Sequence, residues 1–218
     1  MKKFIIILAP ARSGSTALMN IVGSLPNSEI KGESWGGLIL IIRAYQRLLQ
    51  NIHTKNGKPN TGFQHLTINE MRLKNRQFIL NEWMGVDPAK FDYIGFKEVR
   101  FGEFPSSEEL LKWMLAASDL FESKVYFILN LREPEDILTS MNRRPKWWLK
   151  KPSLVAIQEE SDRLKEAFGR AAEKGCSTRV VNQTAWSLDP SRLFGIFEDL
   201  GEQVPAQFFD RCDQKLDH

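Results

Sequence analysis

The chain has 218 residues, 42% hydrophobic and 26% charged, enough for one domain with a substantial core and too few for two of average size. Its formal charge of +3 and pI near 8.8 suit an anionic ligand but fall short of the basic stripe of a nucleic-acid binder. No apolar run approaches the ~18–20 residues of a membrane span, and Cys176 and Cys212 lack the spacing of a zinc site or disulfide framework. The expectation is a single soluble, cytoplasmic domain over residues 1–218, with reduced thiols and no integral membrane segment.

The first apolar run, Phe4 to Leu8, reads as a strand buried on both faces, and the small-residue turn Ala9-Pro10-Ala11-Arg12-Ser13-Gly14-Ser15-Thr16 follows it into a helix. Met1-Lys2-Lys3 and the small residues of the turn imitate a secretory leader. The apolar core, however, is shorter than the ~7–15 residues a leader uses, and a polar loop follows without a break. Strand, small-residue turn and helix together make an anion cradle. Small residues let successive N–H groups converge, Ser and Thr hydroxyls add donors, and the helix start favours negative charge. Compared with the nucleotide-triphosphatase pattern G-x-x-x-x-G-K-[ST], Ala9 replaces the first Gly and Ser15 replaces the Lys, while Arg12 places a cation upstream of Gly14.

Leu18, Ile21, Val22 and Leu25 share one face of the following helix, which Pro26-Asn27 stops. Ile30 to Glu33 reads as a short strand ending in a carboxylate, followed by a helix from about Trp35 to Ile52 and a Gly- and Pro-containing loop from His53 to Gly62. Thr67 and Glu70 form a capping box for a helix to about Met84. Tyr93 to Val99 and Val125 to Leu131 read as core strands, with a Ser106-initiated helix between them to about Phe121. Pro134 suits a helix's first turn. Ser153 opens a long helix to about Lys174, and Thr178 to Asn182 is a further strand. Asp189-Pro190 begins a helix ended by Gly201, and Pro205 starts a short terminal one. Alternating strands and helices predict an α/β, three-layer P-loop-type fold, with a central, mainly parallel sheet flanked by helices.

In such a sheet the ligand crevice lies beyond the carboxyl ends of the strands, so Arg132, just past Leu131, falls on the same edge as Arg12. Ser140 stands about two helical turns further on. The two motifs resemble the sulfotransferases that use 3′-phosphoadenosine 5′-phosphosulfate (PAPS). Residues 12–16 resemble the family's 5′-phosphosulfate loop, and Arg132 with Ser140 resembles its 3′-phosphate site. The likeness is closest to the tyrosylprotein and carbohydrate branch, in which an Arg precedes Ser-Gly and a Pro-Asn turn leads to Gly-Glu, here Pro26-Asn27 and Gly32-Glu33.

The resemblance implies sulfuryl transfer to a small-molecule or carbohydrate hydroxyl, with adenosine 3′,5′-bisphosphate (PAP) as product and no metal. Glu33 would be the general base. Arg12, Ser13, Gly14, Ser15, Thr16, Arg132 and Ser140 would bind the co-substrate, and Lys97, in Gly95-Phe96-Lys97-Glu98, would join Arg12 in stabilising the leaving phosphate. Trp35 is a candidate to line the acceptor site, Trp147 and Trp148 sit among basic residues as candidates for a substrate lid or a contact to an anionic surface, and His65 is a second candidate base. Two other readings stand beside this one: a nucleotide or small-molecule kinase using ATP and magnesium, and a nucleotide-binding module without turnover. Ser15 in the Lys position argues against the kinase, as does the lack of an Asp ending a core strand.

Overall fold

Lys3–Leu8, the strand predicted from the first apolar run, occupies the middle of a five-stranded sheet in the computed structural model of the protein. The structure describes residues 1–33, 36–52, 67–143 and 152–213. In chain order the elements are β1 (Lys3–Leu8), α1 (Ser15–Val22), β2 (Ser28–Lys31), α2 (Gly37–Ile52) and α3 (Ile68–Gln77), which runs on into a π-helical turn, Phe78–Trp83. There follow β3 (Tyr93–Glu98), α4 (Ser107–Leu120), β4 (Val125–Leu131), α5 (Pro134–Asn142), α6 (Leu154–Glu173) and β5 (Ser177–Asn182). The last are α7 (Gln183–Leu188), a 3₁₀ turn (Pro190–Leu193), α8 (Phe194–Leu200) and α9 (Phe208–Asp213).

The sheet order is β2-β3-β1-β4-β5 and every pairing is parallel, so the sheet expected to be mainly parallel is wholly so. Parallel strands need crossovers, and the helices supplying them cover both faces. One face carries Phe4, Ile6, Leu8, Phe96 and Phe127 against α2, α4 and α6, with Trp113 and Phe168 filling the layer. The other carries Ile5, Ile7, Tyr93, Tyr126 and Ile128 against α1, α7, α8 and α9. Residues 4–8 are wholly buried, each large apolar side chain contributing ~1.5–3 kcal/mol by transfer from water. A leader-like run is thus the central core strand.

The predicted boundaries agree with these elements to within a few residues, because the signals were local. Thr67 and Glu70 close the capping box, and Ser106 and Ser153 accept from Glu109 and Ala156 N–H groups. Gly201 ends α8 in the left-handed conformation. Three elements go beyond the sequence pattern, one of them the 3₁₀ turn Arg100–Glu103 after β3. The helix expected to reach Met84 is α only to Gln77, after which Met84 N–H bonds to Ile79 O. Helix α7 fills the stretch directly after β5, capped by the Asn182 side chain. Trp35, His65, residues 53–62 and the segment holding Trp147 and Trp148 lie outside the described residues. Among the described residues, no helix is long and apolar enough to cross a membrane.

All three tyrosines bury their rings and direct their hydroxyls at carboxylates: Tyr45 to Asp119 (2.5 Å), Tyr93 to Glu202, and Tyr126 to Asp199 (2.5 Å). Arg179 grips Asp199 with Nε (2.8 Å) and Nη2 (2.6 Å), tying α8 to β4 and β5. Burial by itself raises the Asp199 pKa, but the hydrogen bonds from Arg179 and Tyr126 outweigh it and leave the carboxyl below its ordinary 3.8. A carboxyl held lower in the folded chain than in the unfolded one contributes stability that is complete above that value. The contribution is lost as pH falls through the folded pKa. Asp199→Asn is therefore expected to lower Tm at neutral pH and to reduce the further fall in Tm as pH drops below the ordinary carboxylate range. Differential scanning calorimetry through that fall in pH checks it.

Candidate functional site

The carboxyl ends of the three inner strands lie side by side, since Leu8 of β1 is in register with Glu98 of β3 and Leu129 of β4. The loop from β1 to α1 opens onto this edge. Arg12 takes φ 65° and Gly14 φ 77°, so the loop folds through two left-handed residues, a combination that curls backbone N–H groups inward. At Gly14 a Cβ would be strained by φ and would stand 2.7 Å from Gln183 Cγ of α7, so only glycine fits without adjustment. Gly14 is also the N-cap of α1 and provides no side-chain cap, so the first N–H groups of the helix keep their donor capacity. Ser15 is buried and Thr16 exposed within this first turn.

The outward carbonyls of the loop are held from behind. Arg132 Nη1 donates to Arg12 O (3.3 Å), and Asn130 Nδ2 donates to Ser13 O (2.8 Å). Asn130 is wholly buried and its Oδ1 accepts from Trp186 Nε1 (3.0 Å), which links β4, the loop and α7. The Arg12 side chain turns to α5, where Nε donates to Ser140 Oγ (3.2 Å). The two predicted anion motifs, more than a hundred residues apart in sequence, therefore meet directly. Ser13 Oγ is buried without a hydrogen-bond partner. Arg132 Nε, also buried, lies 3.8 Å from Asp136 Oδ2, an ion-pair distance too long for a hydrogen bond. An orphaned hydroxyl, an under-used guanidinium and an uncapped helix start suit a ligand with two phosphate-type groups. A serine hydroxyl can accept from Arg12 and still donate to such a group.

Glu33 and Lys97 form the second half of the site. Lys97 is the penultimate residue of β3 and is buried, and its Nζ donates to Glu33 Oε1, placing the predicted base and the predicted lysine in one ion pair. A carboxylate has two oxygens, so Oε2 can take a proton while Oε1 stays on Lys97. The next residue, Glu98, is also wholly buried, and it ends a core strand where a metal-binding carboxylate would stand in a kinase. Its oxygens are spent on backbone: Oε1 accepts from Val99 (2.9 Å) and Arg100 (3.2 Å), and Oε2 from Gly36 (2.9 Å). Glu98 thus anchors the far end of the loop that carries Glu33. Among the described residues, no group of three or more His, Cys, Asp or Glu is placed to hold a metal ion.

The nine residues to which the sequence points, Arg12, Ser13, Gly14, Ser15, Thr16, Arg132, Ser140, Glu33 and Lys97, all lie on this edge. Asn130, Gln183, Trp186 and Glu98 support the site from outside that set. Asn130 and Glu98 did leave a signal, each being a polar residue inside an apolar strand run where a buried side chain must find partners. Gln183 and Trp186 left none, because α7 was not foreseen.

No family model matches the chain, and no curated protein does. Among solved structures the chain is similar to the sulfotransferase domain of the olefin synthase of Synechococcus PCC 7002, with 15% identity, a TM-score of 0.54, and coverage of 99% of this chain and 82% of that one. A sugar kinase from Janibacter sp. HTCC2649 overlaps at 14% identity, covering 100% of this chain and 95% of that one, but its TM-score of 0.37 is too low to carry an argument. At these identities the likeness is one of fold: the protein has a sulfotransferase-like α/β architecture.

Proposed function

We propose that the chain is a PAPS-dependent sulfotransferase acting on a hydroxyl acceptor. The observation that carries this reading is the linkage of Arg12 to Ser140 and of Arg132 to the Arg12 carbonyl, beside a Lys97–Glu33 pair on the same sheet edge. A nucleotide phosphorylated at both ends needs two adjoining anion sites, and a hydroxyl acceptor needs a base next to them. In the proposed division of labour, the loop N–H groups, Ser15 and Thr16 hold the 5′-phosphosulfate end, while Arg132 and Ser140 hold the 3′-phosphate. Arg12 stabilises charge developing on the leaving phosphate, with Lys97 beside it. Glu33 accepts the proton of the attacking hydroxyl. PAPS supplies the activated sulfuryl group, and the protein contributes positioning and charge stabilisation.

The kinase alternative requires a cation in the position of Ser15 and a carboxylate free to hold magnesium. Glu98, the carboxylate at the end of β3, is committed to three backbone N–H groups. Thermal denaturation with added nucleotide discriminates the readings, because a ligand that binds only the native state raises its apparent stability. PAP at about 100 times its Kd is expected to stabilise by ~2.7 kcal/mol, visible as a rise of several degrees in Tm, with little rise for ATP and magnesium. A larger rise with ATP and magnesium would overturn the proposal.

A further inference from the structure

Beside Glu33 lies a cleft of about 390 Å³ lined by Lys31, Gly32, Glu33, Trp83, Met84 and Phe96. Trp83 and Met84 reach it from the π-helical turn after α3. The i→i+5 bond from Met84 N–H to Ile79 O breaks the α-helical progression at the end of α3, and Trp83 and Met84 then lie against Phe96 of β3. π-helical turns of this kind are rare and occur often at functional sites. The Trp83 and Phe96 rings are 5.3 Å apart and inclined at 51°, and a Cβ on Gly37 would be 3.0 Å from Trp83 Cζ2, so α2 begins with the glycine that leaves room for the indole.

We propose that this cleft receives the acceptor, that the acceptor is a small alcohol or phenol with a compact apolar body, and that Trp83 determines this specificity. The inference rests on the sulfotransferase reading above. A hydroxyl presented to Glu33 has its carbon skeleton against Trp83, Met84 and Phe96, none of which offers an acceptor to a second or third hydroxyl apart from the weak thioether of Met84. At the polar side Lys31 pairs with Glu29 at 2.6 Å and Glu33 Oε1 with Lys97, which leaves Glu33 Oε2 for the reacting hydroxyl. A sugar ring placed here leaves hydroxyls unpaired, each reducing binding on the order of tenfold. The volume is at the small end of the range for small-molecule sites, about 300–1,000 Å³. In the reaction the acceptor oxygen forms a bond to sulfur as the bond from sulfur to the 5′-phosphate oxygen breaks. The phosphate leaves with the electron pair as PAP, and the hydroxyl proton passes to Glu33.

The test is transfer from ³⁵S-labelled PAPS by the full chain to 2-naphthol, 1-octanol, N-acetylglucosamine and an acidic tyrosine-containing peptide, with the Kd for PAP measured alongside. The naphthol or the octanol is expected to exceed the sugar in kcat/KM by about 100-fold or more, the consequence of at least two unpaired sugar hydroxyls. Trp83→Ala is expected to raise KM for the preferred alcohol on the order of tenfold with the Kd for PAP unchanged, and Trp83→Phe to recover most of the loss. Preference for the sugar or the peptide, or an unchanged KM in Trp83→Ala, overturns the proposal. Binding of PAP with no transfer to either apolar alcohol overturns it while leaving the co-substrate reading in place. Failure to bind PAP removes both.

Discussion

Glu33→Gln is expected to lower kcat for sulfuryl transfer by about 10²–10⁴-fold while the stabilisation by PAP persists. The glutamine has nearly the same shape and can still accept a hydrogen bond from Lys97 through its amide oxygen, so the loop from β2 to α2 keeps its contact with β3. What it lacks is the capacity to take up a proton. A loss confined to kcat, with PAP affinity within about twofold of wild type, identifies an interaction made only as the acceptor hydroxyl is deprotonated. Loss of PAP affinity to the same degree would instead make Glu33 a structural counter-ion for Lys97. Near-normal turnover would remove it from the chemistry. The measurement pairs initial rates of ³⁵S transfer with calorimetric titration of PAP, since either alone leaves these outcomes merged.

Arg132→Ala is expected to weaken PAP binding by about 10–100-fold, the value of the charge-assisted hydrogen bonds a guanidinium makes to a phosphate. The discriminating control is adenosine 5′-monophosphate, which lacks the 3′-phosphate and should lose much less. Part of the effect passes through the loop, because Arg132 Nη1 also holds the Arg12 carbonyl. That part should fall on both nucleotides equally, so the ratio of the two losses isolates the direct contact. Arg132→Lys keeps the charge but not the planar fork, and it is expected to recover only a fraction of the difference. Equal losses for both nucleotides would assign Arg132 to loop support alone. Titration calorimetry at two salt concentrations checks the result, since a phosphate contact weakens as salt rises.

Most of the architecture was legible because its causes are local. An apolar run such as Phe4 to Leu8 can satisfy its side chains only in a layer covered on both faces, and the cap at Thr67, the proline at Pro134 and the glycine at Gly201 act on their nearest neighbours. The candidate site was legible in its loop and strand-end residues for a similar reason. A cation before Ser-Gly and an arginine just past a core strand carry their meaning in sequence order, and the parallel sheet brings both to the same edge. Resemblance to a known family added the roles of Glu33 and Lys97, which no spacing argument links.

The supporting residues belong to the tertiary structure. Asn130 and Glu98 are polar groups whose burial must be offset by partners, and those partners, Ser13 O and Trp186 for the one and Gly36 N–H for the other, are chosen by how distant segments pack. Trp83 shows the limit most clearly. Residues 68–83 carry the marks of a single helix, and only packing against β3 decided that its last turn widens and brings the indole beside Phe96. The sequence by itself determined a parallel α/β sheet with a small-residue loop at its carboxyl edge, because strand burial and loop chemistry are written in neighbouring residues. Only the tertiary structure decided that Arg12 meets Ser140, that Glu33 meets Lys97 and that a cleft walled in part by Trp83 and Phe96 adjoins Glu33, because each contact joins segments whose approach no local preference specifies.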